Sequence, residues 1–88
     1  MKLKYDFSVQ EVADMFVAVA KNPETQTVEQ VFRLNETGAL IMKALQEGNA
    51  PSAIVGLLLE QYDVQPDEAE AEVMAFIKML IEKGLAEK

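Results

Sequence analysis

Fifteen carboxylates, no histidine and no cysteine define the reactive side chains of this 88-residue chain. Carboxylates can hold a hard cation or move a proton when suitably spaced. Without imidazole or thiolate, no Ser/His/Asp or Cys/His set can be assembled, and the usual zinc ligands are missing. Asp63 to Asp67 hints at the start of a calcium loop. Glu68, however, stands where such a loop needs Gly, and Met74 where it needs the closing Glu. Glu68 and Glu72 lie one turn apart on an expected helix, near its N-terminus, where they read as a solvated face that complements the helix dipole. The glycines, at 38, 48, 56 and 84, form no phosphate-cradling loop. The expectation is a protein with no catalytic residue, no metal site and no cofactor.

The charge balance narrows the partners. Net charge is −7, with Asp63, Asp67, Glu68, Glu70 and Glu72 close together. The basic residues are scattered at 2, 4, 21, 33, 43, 78, 83 and 88. Nucleic-acid affinity rests largely on neutralising phosphates, so such a partner is disfavoured. Met1-Lys2-Leu3-Lys4 leads into charged residues rather than an apolar signal core, and no apolar run approaches membrane-spanning length. No membrane association is expected, and the cytoplasm is the expected location.

Half of the residues are hydrophobic, which suits one small domain over residues 1–88 with a modest core. Tyr5, Phe7 and Val9 alternate, Val12 approaches a turn at Ala13-Asp14, and Met15 to Ala20 is a short Val-rich run. Asn22-Pro23 opens a polar connection through Thr27. Strands are expected over about residues 5–12, 15–20 and 28–34. Their connections are too short for crossovers, so the sheet should be an antiparallel meander.

Helical spacing takes over afterwards, predicting helices over about residues 36–47, 51–62 and 66–83. Gly48-Asn49 closes the first, and Pro51 suits the opening turn of the second. The broad apolar run of the second (Ile54, Val55, Leu57, Leu58, Leu59) predicts a helix sandwiched between neighbours. The third has an acidic first turn, a core stripe of Ala69, Val73, Phe76, Ile77 and Leu80, and Gly84 placed to end it, with Leu85 folding back. Strands followed by helices make an α+β domain.

Three features could serve binding. The edge strand Val28–Arg33 could accept a peptide by strand addition, or could simply be protected by Glu29 and Arg33. Met74 and Ile81, with Glu70 and Lys78 nearby, form surplus apolar surface on the third helix. It suits an adaptable groove, although pattern alone favours a widened core face. The acidic start of that helix would repel nucleic acid, and it either complements the dipole or attracts basic residues of a peptide.

The stretch Val31-Phe32-Arg33-Leu34-Asn35-Glu36-Thr37-Gly38 runs from a strand straight into a helix, with Asn35 as a good N-cap. From Phe32 to Ala39 it closely resembles the strand-to-helix junction of the family of the pyrroloquinoline quinone biosynthesis protein D. These PqqD-like domains are the peptide-recognition elements of ribosomal peptide maturation. A second match runs through Glu60-Gln61-Tyr62-Asp63-Val64, Ala69-Glu70-Ala71-Glu72-Val73 and Phe76 to Lys83-Gly84-Leu85. Together they cover nearly the whole chain.

The resemblance implies a winged helix-turn-helix whose three-stranded antiparallel sheet is the wing. It implies a non-catalytic carrier that captures the leader segment of a ribosomal precursor peptide and presents it to a maturation enzyme, often a radical S-adenosylmethionine enzyme. The leader would add beside the third strand, with backbone contacts from Val28, Glu29, Gln30, Val31, Phe32 and Arg33. Groove contacts would come from Asp67, Glu70, Ala71, Met74 and Lys78 of the third helix. The chain departs from the family pattern at Asp14, where relatives tend to have Gly, in the polar Lys21–Thr27 connection, and at Met79 and Ile81. The alternatives are a winged-helix DNA-binding regulator, which the charge opposes, and a structural interaction domain without leader binding.

Overall fold

The computed structural model describes residues 1–88. Strands β2 (Asp6–Val12), β3 (Met15–Lys21) and β4 (Val28–Leu34) form an antiparallel sheet in the order β2-β3-β4. Helices α1 (Glu36–Gln46), α2 (Pro51–Gln61) and α3 (Pro66–Glu82) follow. The α+β architecture expected from the sequence is the one observed. Outside the expected elements, β1 (Lys2–Leu3) pairs antiparallel with β5 (Ala86–Glu87), Leu3 opposite Ala86. Two-residue strands are too short to leave a periodic signature.

The β2–β3 hairpin pairs Val12 with Met15 and leaves Ala13-Asp14 as the loop. The left-handed backbone falls at Ala13 (φ 57°), not at Asp14. At the far end of the sheet the register slips between Ala20 and Lys21, which pair with Gln30 and Val28. Glu29 is thereby left as the bulged residue of β4.

The inner face of the sheet carries Phe7, Ala18 and Ala20, all buried. The two alanines leave room for α1, whose Ile41, Met42, Ala44 and Leu45 fill the space above them. On its other side α1 meets α2 through Ile54 and Leu58 and α3 through Ala69, Val73, Ile77 and Leu80. Complete burial of a side chain such as Ile41 or Leu80 contributes about 1.5–3 kcal/mol.

The helix with neighbours on several sides is therefore α1, not α2 as its apolar run predicts. In α2 only Ile54 and Leu58 are buried, while Leu59 is exposed, because α2 packs chiefly against α1 and α3. In α3 the expected stripe is buried except for Phe76, which is half-buried.

Helices α1 and α3 end by the same device, at Gly48 and Gly84. Gly84 (φ 75°) donates to the Ile81 carbonyl and Leu85 to that of Leu80, the paired bonds of a Schellman turn. Leu85 is thus returned to the core, completely buried, and its carbonyl accepts from the Lys4 amide. This return places β5 beside β1.

Candidate functional site

The strand-to-helix junction is built around Asn35 and Gly38. Asn35 keeps an extended backbone (φ −82°, ψ 178°), and its Oδ1 accepts from the Gly38 amide at 2.7 Å, capping α1. A Cβ at Gly38 would lie 2.8 Å from that same Oδ1, 3.5 Å from Phe76 Cε2 and 3.6 Å from Leu34 Cδ2. The bare glycine lets α3 and the end of β4 meet over the first turn of α1. Next to it the Thr37 hydroxyl donates to the Glu72 carboxylate, tying α1 to α3. Tyr62 is held above its ordinary pKa of 10.0, first by desolvation, then by a hydrogen bond with Glu36 and the charges of Glu36 and Glu72. The start of α1 therefore gathers Glu36, Glu72 and the Tyr62 phenol.

The two edges of the sheet differ. On β2 the Phe7 amide donates to Gln46 Oε1 of α1 at 3.1 Å, so this N–H points away from β3 and is already satisfied. In an antiparallel ladder the direction of backbone groups alternates from one residue to the next. Phe7 pairs with Ala20 and Val19 with Ser8. It follows that Val17 and Val19 bond toward β2, while Phe16, Ala18 and Ala20 bond toward β4. Phe32, paired with Ala18, bonds back into the sheet. The amides and carbonyls of Val31 and Arg33 point outward, along an edge no element covers.

Side chains alternate across the same strand. Phe32 and Leu34 are half-buried on the helical face, and Val31 is exposed at 59% on the other. Beside the open edge stands one flank of α3. Lys83 Nζ lies 5.8 Å from the Phe32 ring centroid, in cation–π range. Phe76 approaches Leu34 across Gly38, and Met79, half-buried, falls between Phe76 and Lys83 on the same helical face. The result is a shallow apolar trough bounded by the β4 edge, with the Glu72 carboxylate toward one end and the Lys83 ammonium at the other, while Glu36 turns away into a hollow with Phe16, Leu40, Leu57 and Tyr62.

The sequence-expected site residues divide in two. Val28 to Arg33 do form the open edge, although only Val31 and Arg33 turn backbone groups outward in the regular part of the strand. The α3 residues are elsewhere. Glu70 and Met74 line a hollow of about 360 Å³ with Pro51, Ser52 and Val55 of α2. Met74 and Lys78 line another of about 330 Å³ with Ile81, Glu82 and Lys88. Neither hollow includes a β4 residue, and Asp67 and Ala71 are exposed on the first turns of α3. The flank facing β4 carries Glu72, Phe76, Met79 and Lys83 instead.

A helical wheel places these two groups on opposite sides of the core stripe but does not say which side meets the sheet. Gln46 left no sequence signal at all, since its partner Phe7 is 39 positions away. The structure brings no three His, Cys, Asp or Glu residues together as a metal-binding group. No helix is long and apolar enough to cross a membrane.

No curated protein sequence shows significant similarity to the chain. Among solved structures, a lasso peptide synthetase B1 complexed with the leader peptide is 26% identical, with 99% of this chain and 96% of that one covered at a TM-score of 0.73. A second, TbiB1 in complex with the TbiA(beta) leader peptide, is also 26% identical, with 99% and 95% covered at a TM-score of 0.74. The family model for coenzyme PQQ synthesis protein D matches residues 17–86, and with the junction, sheet and three helices in place the chain belongs to the PqqD family.

Proposed function

We propose that residues 1–88 form one non-catalytic peptide-recognition unit that captures the leader segment of a ribosomally made precursor and presents it to a separate maturation enzyme. The observation that carries this reading is the asymmetry of the sheet. The Phe7 amide of one edge is satisfied by Gln46, whereas β4 turns Val31 and Arg33 outward beside an apolar trough. A peptide strand added there gains main-chain hydrogen bonds from Val31 and Arg33. Its alternate side chains drop toward Phe32, Phe76 and Met79, which supply selectivity. The two structural neighbours, each in complex with a leader peptide, support the same ligand class.

In this reading Val28, Glu29, Gln30, Val31, Phe32 and Arg33 form the peptide-binding strand. The helical contribution comes from the Glu72–Lys83 flank rather than from Asp67, Glu70, Ala71, Met74 and Lys78. The family favours a radical S-adenosylmethionine enzyme as the receiving partner, acting in the cytoplasm. The likeness to a lasso peptide synthetase B1 favours a lasso-forming system as the second reading. The net charge of −7 argues against a DNA-binding role.

The test is a backbone amide titration with leader peptides encoded beside the gene. Shifts centred on Val31, Arg33, Phe76 and Lys83 are the expected result. A folded protein whose β4 amides respond to none of these peptides overturns the reading.

A further inference from the structure

We propose that the trough beside β4 is charge-polarised and selects peptides carrying a cation, an apolar anchor and an anion at alternate positions i, i+2 and i+4. The inference rests on the strand-addition reading and specifies which peptides that site accepts. Its basis is the placement of charge along the α3 flank. At one end, Glu72 is half-buried and held by Thr37 at the start of α1. At the other, Lys83 stands exposed over the face of Phe32. Between them lie Leu34, Phe76 and Met79, all half-buried and none charged.

Spacing supports the same pattern. Glu72 and Lys83 are three helical turns apart, roughly 16 Å along the axis. In a strand, positions i and i+4 are about 13 Å apart and share one face with i+2. Long Lys and Glu side chains on the peptide bridge the difference. The central residue then sits over the apolar floor.

Direction follows from the fold. The chain of β4 runs from Phe32, beside Lys83, toward Leu34 and the Glu72 end. A strand added antiparallel, the more stable ladder, runs the opposite way. Its N-terminal half meets Glu72 and its C-terminal half meets Lys83. The preferred order is Lys-x-Leu-x-Glu, and the disfavoured order is Glu-x-Leu-x-Lys. Apposed like charges at both ends penalise the second order, so the pattern also sets strand direction.

The test uses two synthetic nine-residue peptides with these two orders in an otherwise identical Thr/Ser background, together with the gene-neighbouring leader that binds most tightly. Affinity is read by fluorescence anisotropy at low salt, and location by β4 amide shifts. Exposed ion pairs of this kind justify a preference of about threefold to tenfold for the Lys-first peptide. Lys83→Glu should erase or invert that preference, and Lys83→Met should reduce it while the fold stays intact. Equal binding of the two orders, or a preference that survives Lys83→Glu, overturns the charge assignment. If the natural leader still shifts Val31 and Arg33 in that case, strand addition stands and only the polarity fails. If no peptide shifts β4, both proposals fall.

Discussion

Gln46 Oε1 accepts the outward amide of Phe7 at 3.1 Å, so a helix side chain occupies one position on the β2 edge of the sheet where it enters the core. The opposite edge has no such partner. An unpaired edge is a general hazard for self-association, and a satisfied Phe7 amide makes the β2 edge less available for strand addition than the β4 edge beside the trough.

Gln46→Ala should leave the Phe7 amide without its partner. Net stability should fall by about 0.5–1.5 kcal/mol, the usual worth of such a bond. Hydrogen exchange at Phe7 should accelerate while exchange at Phe32 stays slow. An unchanged Phe7 rate would show that Gln46 does not protect this edge.

Val31→Pro removes an outward N–H from β4 without breaking the Phe32–Ala18 pair beside it. The fold should survive, since proline is tolerated on an edge strand, and leader binding should drop below detection. Circular dichroism checks the first point and anisotropy the second. Retained affinity in the folded variant would move the binding site away from β4.

Gly38→Ala brings a Cβ to within 2.8 Å of the oxygen that caps α1. Losing that cap should cost about 1 kcal/mol. For a domain of this size the melting temperature should drop by about 4–8 °C. Leader affinity should also weaken, because Leu34 and Phe76 would be pushed apart.

Alkaline stability should carry the signature of Tyr62. Its folded pKa lies above the ordinary 10.0 because burial and the neighbouring Glu36 and Glu72 disfavour the phenolate. The folded state thus holds this proton more tightly than the unfolded chain. The resulting stabilisation is complete below the unfolded value and is lost as pH rises through the folded one. In urea unfolding, the stability gap between the wild type and Tyr62→Phe should be constant below pH 10 and shrink as pH rises through the folded pKa. Parallel curves across that range would remove Tyr62 from the carboxylate cluster.

Much of the fold was legible one residue at a time. The alternation of Tyr5, Phe7 and Val9, the Asn35 cap, the prolines opening α2 and α3, and the Gly48 and Gly84 stops are all local devices. Each depends on neighbours within a few positions, so spacing in the sequence determines strand, helix and stop. The junction from Phe32 to Gly38 belongs to this class as well, and its resemblance to the PqqD family was readable for that reason.

What only the tertiary structure decided involves distant partners. The rotation of α3 is set by Phe76 resting on Gly38 and by Glu72 meeting Thr37, 35 positions away. That rotation turned Glu72, Phe76, Met79 and Lys83 toward β4, and Glu70, Met74 and Lys78 toward α2 and the C-terminus. Likewise Gln46 distinguishes the two sheet edges across 39 positions, and Leu85 ties the last residues to the first. Periodicity defines a helix face but not the partner that face will meet, because the choice of partner is made by packing among all the elements at once.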